Sequence, residues 1–350
     1  MQGQIAEREA KMAQGDNRKV TLKDVSKASG LSLITVSRAL RQPETVHADT
    51  RAKIQRTIDE IGYIPNLTAR SLVSQRSDMI GVVVPILASS LFADFAQGVS
   101  HVLEPRKQQM LLAVSDWSAQ KEEEAVRTFI ARQADAIIVT GFSHTETTRK
   151  LLSKFSGPVV EAWNLRDGAM DSAVGFDNYG AAVEMTRYLI GRGYENIVMV
   201  GGASTHNDQA EDRTRGFIDA MRGAGRSVDE DTIVEFDNPA TIEGGVALIQ
   251  KLLARKQKPD AIFFLAELPA HGAMLWCMSN GISVPGDVAI AGFGDLSLSA
   301  LLPVPMTTVQ IKGRAIGERS AELVMARLDG ANDSPSTHDI GYHLQIREST

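Results

Sequence analysis

The sequence is poor in cysteine and in aromatic residues, and it contains no long hydrophobic run. Its one cysteine, Cys277, permits neither an internal disulfide nor a cysteine-based metal cluster, which is typical of a protein in the reducing cytoplasm. No apolar stretch approaches the roughly 20 residues of a transmembrane helix, so we do not expect a membrane protein. Residues 1–17 lack the apolar segment of a signal peptide, and we interpret them as a loose tail.

The sequence signals of an enzyme are also missing. Gly201-Gly202-Ala203-Ser204 follows a predicted strand but lacks the G-x-G-x-x-G spacing, and no G-x-x-x-x-G-K-[ST] phosphate loop occurs. The histidines never form H-E-x-x-H, and Cys277 beside Trp276 on an apolar helix fits a core position better than a nucleophile. These absences argue against a dehydrogenase or a sugar kinase, and we expect no metal or cofactor. A solute-binding protein, the other alternative, would need a signal for export.

Charge is unevenly distributed along the chain. The whole sequence carries a net charge of −6, yet residues 18–76 contain 11 Lys/Arg and 5 Asp/Glu, a net +6, which leaves −12 for the remainder. A basic end on an acidic body favours contact with nucleic acid through that end alone, with an affinity that falls as salt rises. A small basic segment can also arise by chance, so this asymmetry only supports a DNA-binding function.

Residues 21–30 are predicted to form a short helix that ends in a sharp turn. Thr21 and Asp24 make a capping-box-like start, in which the hydroxyl and the carboxylate can each accept a backbone N–H. Gly30 permits the left-handed conformation that ends a helix. The buried stripe is predicted to contain Leu22, Val25 and Ala28.

A second helix is predicted at Leu33–Leu40 with Ser32 as its cap, and a third at Thr50–Ile61. Two short helices around a glycine turn are typical of a helix-turn-helix, although ordinary helical packing gives the same pattern. The outward face of the second helix offers apolar groups for thymine methyls and polar groups for base edges or phosphates. Its residues are Leu33, Ile34, Thr35, Ser37 and Arg38.

The next segment, from Gly62 to Leu72, contains the sequence GYIPN followed by about two helical turns. Pro65 cannot lie inside a helix, whereas Asn66 can cap a new one. The helix that would follow is too short to be stable alone in water. So short a segment needs a partner in order to fold. The alternative for Leu72 is a core leucine, but no apolar stripe is offered by its neighbours Arg70, Ser71, Ser74, Gln75 and Arg76.

These motifs resemble the headpiece and hinge of the lac repressor family of bacterial transcription regulators. They are Asp24-Val25, Thr35–Leu40, Thr50-Arg51, Gly62–Asn66 and Leu72. The resemblance implies that the second helix enters the major groove of a double-stranded, pseudo-palindromic operator. It also implies that paired hinge helices of two subunits enter the minor groove, with Leu72 as a wedge. We expect the DNA-binding residues to be Thr21, Ser32, Leu33, Ile34, Thr35, Ser37, Arg38, Asn66, Ala69 and Leu72.

Beyond the hinge, apolar strands alternate with helices. Continuous apolar runs such as Met79–Val84 and Ala136–Val139 are typical of strands buried on both faces of a parallel α/β sheet. The number of these units exceeds one open sheet, which predicts two doubly wound subdomains. The family resemblance covers this region too and implies a core like that of periplasmic sugar-binding proteins. Its marks are Val174–Asn178, Arg213, Gly216-Phe217, Pro285–Phe293 and Thr307–Val309.

The predicted organisation is a tail at 1–17, a headpiece at 18–65, a hinge at 66–77 and an effector-binding core at 78–350. The strand at Ala173 starts a fresh round of the pattern, and in such folds the chain crosses between subdomains three times. We therefore expect the first subdomain to contain about 78–173 and 307–335. The second is expected to contain about 174–306 and 336–350.

Ligands of such folds bind outside the carboxyl ends of the strands, in the cleft between subdomains. Arg213 occupies the family position whose guanidinium commonly holds the effector, and this cation suits a carboxylate or a phosphate. The alternative for Arg213 is a surface salt bridge with Glu211 or Asp212. The predicted effector-binding residues are Ser90, Phe92, Glu161, Trp163, Asp177, Arg213, Asn238, Glu267 and Asp295.

Two departures from the family pattern bear on the ligand. The chain has Ala266-Glu267 where relatives usually carry Asn-Asp, and Gly294-Asp295 where they have an Asp after Gly-Phe, so partners for a neutral sugar's hydroxyls are lost. Val159–Glu161, Val174–Asn178 and Ile290–Phe293 resemble the gluconate repressor branch most. The hypothesis is a sugar-acid effector such as gluconate or a ketogluconate. A neutral sugar, a phosphorylated sugar or another metabolite is the alternative.

The hinge suggests how the two functions are coupled. If the hinge folds only when two copies pair on DNA, a ligand that closes the cleft and shifts the first subdomains apart unfolds it. The expected protein is therefore a cytoplasmic repressor of carbohydrate catabolism genes, not an enzyme, which its effector releases from DNA. No heptad repeat follows Arg347, so a two-fold homodimer is the default expectation.

Overall fold

The computed structural model describes residues 20–64, 76–201, 207–235, 241–331 and 335–350. The chain divides into two compact units, residues 1–75 and residues 76–350. The predicted tail, the hinge residues Asn66, Ala69 and Leu72, and the candidate Asn238 lie outside the described residues. Among the residues that are described, no helix combines the length and the hydrophobicity needed to cross a membrane.

Within residues 20–64, the described part of the first unit, three helices surround a small apolar core. They are α1 (Leu22–Ser29), α2 (Leu33–Arg41) and α3 (Ala48–Ile61), with a 3₁₀ turn at Pro43–Thr45 before α3. The core consists of Val25, Val36, Ala39, Ile54 and Ile58.

The turn between α1 and α2 has the expected left-handed glycine, since Gly30 has a φ of 68°. The predicted stripe of α1 is wrong at one position, because Ala28 is exposed and Ser29 is buried. The Ser29 hydroxyl donates to the Ser26 carbonyl at 3.3 Å. That bond satisfies its polar group, which lets a serine occupy a buried position.

The second unit is built from two six-stranded sheets among the described residues. The elements up to the first crossing between sheets are β1 (Met79–Val84), α4 (Ser90–Leu103), β2 (Gln109–Val114), α5 (Ala119–Ala131), β3 (Ala136–Thr140), α6 (Glu146–Lys154), β4 (Val159–Ala162) and β5 (Ser172–Gly175). The next are α7 (Asn178–Gly191), β6 (Ile197–Val200), α8 (Asp208–Gly223), β7 (Ile233–Val234), α9 (Ile242–Leu253), β8 (Ala261–Phe264), α10 (Glu267–Ser279) and β9 (Ala289–Gly294). The last are β10 (Thr307–Ile311), α11 (Gly313–Leu328), β11 (Ser336–Asp339) and β12 (Tyr342–Gln345), with 3₁₀ turns at Glu104–Arg106 and Ser297–Ala300.

The strand order is β11-β5-β4-β3-β1-β2 in the first sheet and β12-β10-β9-β8-β6-β7 in the second. The strands of the described residues pair in parallel except β10 with β12, as the alternation of apolar strands and helices predicts. Ile80 and Val82 of β1 belong to one apolar cluster and Val83 to another, because successive side chains point to opposite faces. Apolar side chains therefore cover both faces of the strand.

The predicted subdomain boundaries are wrong at three strands. Ser172–Gly175 does not begin a fresh sheet, because β5 pairs with β4. Thr307–Ile311 was expected in the first subdomain, but β10 pairs with β9 of the second sheet. Ser336–Asp339 was expected in the second, but β11 pairs with β5 of the first. The physical reason is that pairing depends on long-range packing, whereas the local apolar pattern of a strand is the same in either sheet.

Loops at the carboxyl ends of the parallel strands of the two sheets contact each other, since the Phe142 N–H and Asn164 both donate to Asp208 at the start of α8. We call the space between the two sheets at these ends the cleft. Helix α4, which begins after β1, is held close to α11 by two glycines. A Cβ atom on Gly98 would lie 2.3 Å from the Arg314 carbonyl oxygen, and one on Gly317 would lie 2.1 Å from the Phe95 carbonyl oxygen. This close approach packs α4 tightly against α11, and the first turn of α4 carries the aromatic residue Phe92.

Candidate functional site

The exposed face of α2 is the candidate DNA-binding surface. Ser32 caps the helix, since its hydroxyl accepts the Thr35 N–H at 3.1 Å. Although apolar, Leu33 and Ile34 are 39% and 71% exposed. The exposed groove on this face is lined by Leu22, Leu33, Ile34, Ser37, Arg38, Arg41 and Gln42. The structure thus brings most of the predicted base-reading residues of this helix together and adds Arg41 and Gln42, which the sequence reasoning missed.

Thr21 begins α1 beside this surface. Its backbone N–H and its hydroxyl both donate to the Asp24 carboxylate, at 2.8 and 2.6 Å. This is the expected pairing at a helix N-terminus. Thr21 is exposed, so its role in the fold leaves it accessible to a phosphate.

Arg213 lies on the first turns of α8 and is the cation of the candidate effector site. Its Nε donates to Asn178 Oδ1 at 2.7 Å and its Nη1 to the Leu265 carbonyl at 3.0 Å. Its guanidinium lies 3.8 Å from the centre of the Phe293 ring. All three contacting groups are neutral, whereas Asp208 and Asp212 act on the charge through space, without a hydrogen bond to Arg213 among the described residues. Burial lowers the pKa of Arg213 to about 9, which still leaves the group charged at neutral pH.

The alternative for Arg213, a surface salt bridge with Glu211 or Asp212, is not found among the residues that the structure describes. Glu211 and Asp212 accept instead from Arg166, with N–O distances of 2.8 and 2.9 Å. Asp212 also pairs with Arg215 at 2.9 Å. The acids beside Arg213 in the sequence are therefore held by other cations.

An aromatic wall is formed by Phe92 and Trp163. Their ring centres are 4.5 Å apart, and Trp163 also packs against Phe95 at 5.5 Å. Trp163 is only 1% exposed, and its backbone is left-handed with a φ of 79°. Its Nε1–H has no hydrogen-bond partner among the described residues. Buried donors are rarely left unpaired, so a ligand acceptor would explain this one.

Asn178 connects the cation with the aromatic wall. While its Oδ1 accepts from Arg213, its Nδ2 donates to the Trp163 carbonyl at 3.0 Å. Phe92, Trp163 and Arg213 are thus predicted residues that the structure brings together. Gln209, one turn before Arg213 on α8, is buried, and its amide nitrogen has no partner within the described ranges. Sequence reasoning missed both Asn178 and Gln209, although Asn178 lies in a motif that carried the family resemblance.

Contacts cross the cleft at the start of α8. Asn164, after β4, donates to Asp208 at 2.6 Å and to Asp212 at 2.8 Å. The Phe142 N–H, after β3, donates to Asp208 at 3.1 Å. Together with Arg166, these bonds hold the loops of the first sheet against a helix of the second.

Glu161 lies apart from this cluster. It is fully buried on β4, where its carboxylate accepts the Met170 N–H at 2.6 Å and lies 3.3 Å from His144 Nε2. The other nitrogen of His144 lies 2.6 Å from Glu122. Burial alone would lower the pKa of His144, but the hydrogen bond to Glu122 and the nearby Glu161 carboxylate outweigh it and raise the pKa to about 9. Glu161 therefore has protein partners for its charge.

Glu267 and Asp295 also have protein partners. The Glu267 carboxylate accepts from the hydroxyls of Ser299 and Thr308, the latter at 2.8 Å, and burial raises its pKa to about 7. Asp295 pairs with Arg347 at 2.7 Å and accepts from Gln310 at 2.8 Å. These partners lie on the 3₁₀ turn Ser297–Ala300, on β10 and in the C-terminal segment. They are distant in sequence from the carboxylates, which is why sequence reasoning missed them.

The remaining candidates lie at the rim. Ser90 is exposed at the start of α4. Asp177 is exposed and caps α7, since its carboxylate accepts the Gly180 N–H at 2.8 Å. Asp177 also borders a polar pocket of about 780 Å³ with Arg166 and Arg215.

Comparison with known proteins agrees with both parts of this architecture. Residues 21–66 match the family model for bacterial regulatory proteins of the lacI family, and residues 186–350 match that of the periplasmic binding protein-like domain. The first match spans the three helices with the exposed α2 face. The second spans α8, with Arg213, and most of the second sheet.

Relatives and solved structures match over nearly the whole chain. The HTH-type transcriptional regulator GntR of Pseudomonas aeruginosa is 31% identical over 94% of this chain and 95% of its own. The protein of the same name from Escherichia coli K12 is 32% identical over 93% of this chain and 97% of its own. A crystal structure of a LacI-family transcriptional regulator from Silicibacter pomeroyi has a TM-score of 0.88 and 28% identity, and covers 94% of this chain and 99% of that one.

The matched relatives are transcriptional regulators, in agreement with the expectation that the chain is not an enzyme. Members of this family bind operator DNA and small-molecule effectors. The helix-turn-helix, the two-sheet core and these similarities over the full length together show that the chain belongs to the lacI family of bacterial regulatory proteins, as a DNA-binding transcriptional regulator.

Proposed function

We propose that the protein represses genes of sugar-acid or related carbohydrate catabolism, and that a sugar acid such as gluconate or a ketogluconate releases it from its operator. In this proposal the effector binds in the cleft between the two sheets. Its carboxylate contacts Arg213, and its hydroxyls contact polar groups around Phe92 and Trp163.

The observation that carries this proposal is the charge of Arg213 in a partly buried setting with neutral partners. A buried cation is costly unless an anion compensates it, and a guanidinium holds a carboxylate well. The carboxylates that would otherwise serve a neutral sugar, Glu267 and Asp295, already accept from protein groups. Both features favour an acidic ligand over a neutral hexose, in line with relatives named GntR.

A homodimer is part of the proposal. Strand β2 is an edge strand, and its Leu112 and Val114 are 38% and 37% exposed. On the second subdomain, Leu298 and Leu301 are 41% and 76% exposed. Exposed apolar groups on an edge strand of one subdomain and on a turn of the other suit a two-fold contact with a second copy. A dimer would also present two α2 helices to a pseudo-palindromic operator.

Calorimetry with gluconate, ketogluconates, phosphogluconate and neutral hexoses tests the effector, and gel shifts with the protein's own upstream DNA test release. We expect a sugar acid to bind and to reduce operator affinity by roughly 5-fold to 150-fold, the usual range of allosteric coupling. Binding of a neutral sugar or a purine alone would refute the sugar-acid proposal.

Two substitutions separate the functions. Arg213→Ala should abolish sugar-acid binding and leave operator affinity intact, because the guanidinium lies in the cleft. Leu72→Ala should weaken specific operator binding and leave effector affinity nearly unchanged, because the proposed wedge contacts only DNA. Normal effector binding by Arg213→Ala would contradict the assignment of the site.

A further inference from the structure

Asn178 is the first residue of α7, where the chain leaves the first sheet for the second subdomain. Its side chain is 1% exposed and uses both ends of its amide. The oxygen accepts from Arg213 Nε at 2.7 Å, and the nitrogen donates to the Trp163 carbonyl and to Asn164 Oδ1, both at 3.0 Å. One buried amide thus contacts the cation, the aromatic wall and the loop after β4.

The chemistry of an amide matters at this position. A carboxylate here would accept from Arg213 equally well, but it would cancel the charge of the guanidinium and could not donate to the Trp163 carbonyl. A neutral oxygen orients the guanidinium through a hydrogen bond and leaves its charge for another partner. Among the described residues, Nε and Nη1 of Arg213 have acceptors, and no hydrogen bond is made by Nη2.

Asn164 extends the same arrangement. It accepts from Asn178 and donates to Asp208 and Asp212, the two carboxylates on α8 that are close enough to influence Arg213. Those carboxylates are therefore directed toward amides and Arg166 instead of toward Arg213. The pair of buried asparagines keeps the acids and the cation of one helix apart.

We infer that Asn178 is a positioning residue for the effector: it orients the Arg213 guanidinium, aligns it with Trp163 and preserves its charge for an anionic ligand. Asn178 acts through Arg213 and needs no contact with the ligand itself. This inference rests on the proposed function, in which the ligand is an anion held by Arg213.

The test compares Asn178→Asp and Asn178→Ala by calorimetry with gluconate as the probe, with Asn280→Asp as the matched control. Asn280 is exposed on the far end of α10, where its amide donates to the Trp276 carbonyl at 2.9 Å. We expect Asn178→Ala to weaken gluconate binding about tenfold and Asn178→Asp at least about thirtyfold, whereas the control binds normally. Aspartate is nearly isosteric with asparagine, so a residue that only fills space would give the opposite order. If Asn178→Asp bound gluconate like the wild type, or better than Asn178→Ala, the inference would be overturned.

A second measurement does not depend on the ligand. In the ligand-free wild type, hydrogen exchange at Arg213 Nε, followed by NMR of ¹⁵N-arginine-labelled protein, should be slow because Asn178 accepts that hydrogen. Asn178→Ala should accelerate this exchange at least tenfold, and unchanged exchange would reject the positioning role. If the wild type does not bind gluconate but still protects Arg213 Nε from exchange, only the sugar-acid proposal is rejected. The failure of that proposal is thus distinguishable from the failure of the positioning role of Asn178. Thermal unfolding of each variant shows whether it is folded.

Discussion

The buried side chain of Trp163 has an unpaired donor that points to a ligand. Its ring is fully packed by Phe92 and Phe95, yet its indole N–H has no acceptor among the described residues. Phenylalanine would also supply an aromatic ring to this cluster, and it has no donor to leave unsatisfied. The polar atom is therefore a cost in the free protein that a ligand acceptor would offset.

Trp163→Phe isolates that atom. We expect the free energy of unfolding to fall, because the smaller ring leaves part of the indole's space empty, although removal of an unpaired donor offsets some of this loss. We expect effector affinity to fall about tenfold, the equivalent of one hydrogen bond of roughly 1 to 1.5 kcal/mol. Calorimetry and thermal unfolding measure the two quantities, and Trp276→Phe on α10 serves as the control. An unchanged affinity would mean that the indole N–H does not contact the effector.

At the scale of elements, local pattern predicted some features and long-range packing decided others. Strands such as β1 and β3 could be predicted because continuous apolar runs suit burial on both faces. Strand β11, with the sequence STHD, has no such run, and its place beside β5 depends on pairing across more than a hundred residues. The same holds for the residues of the candidate site. Arg213 could be predicted from its family position, whereas Asn178, Asp208 and Asn164 come together only after folding.

Helix α2 provides a test of DNA reading. Ile34 is 71% exposed and makes no part of the headpiece core. Ile34→Ala should therefore leave the headpiece folded and lower the affinity for the specific operator about tenfold, with little effect on nonspecific DNA. Gel shifts with specific and scrambled duplexes at a fixed salt concentration measure both affinities. Gln55→Ala, on the exposed face of α3, is the control, and equal losses on the two duplexes would contradict base reading by Ile34.

The contacts between α8 and the loops of the first sheet give a second prediction. Arg166 holds Glu211 and Asp212 across the cleft, and its hydrogen bond to Asp212 raises its pKa above the ordinary value. Arg166→Ala should favour an open cleft, so that an effector that binds the closed form pays a conformational penalty and binds about 3-fold to 10-fold more weakly. The loss should shrink at high salt, because the ion pairs are partly exposed and screened. Small-angle scattering measures the opening of the cleft, and calorimetry measures effector affinity. Arg314→Ala, on the surface of α11, is the control. Tighter effector binding by Arg166→Ala would contradict the expected closure of the cleft.

At the scale of the whole molecule, two buried charge clusters make the stability of the second unit depend on pH. Glu267, packed against Ser299, Thr308 and Asp295, has a pKa raised by burial to about 7 from an ordinary value of 4.5. A raised pKa favours the protonated form in the folded state, so this contribution to stability is lost as pH rises from 4.5 through 7. His144, between Glu122 and Glu161, has its pKa raised from 6.5 to about 9. Its contribution to stability is therefore lost over this higher pH range.

His144→Asn tests that higher window. Protonated His144 stabilises the folded state below pH 6.5, and the contribution should disappear as pH rises through 9. The wild type should therefore lose up to roughly 3 kcal/mol of unfolding free energy between these two pH values relative to the variant, following about 1.4 kcal/mol per pKa unit. Urea titrations of both proteins at several pH values give the unfolding free energy as a function of pH. Comparing how steeply this free energy changes with pH removes the constant cost of leaving Glu122 and Glu161 without the imidazole. The exposed His343→Asn variant should follow the wild type. If the unfolding free energies of the wild type and His144→Asn changed with pH in the same way, the imidazole would not be held in its charged form by the two carboxylates.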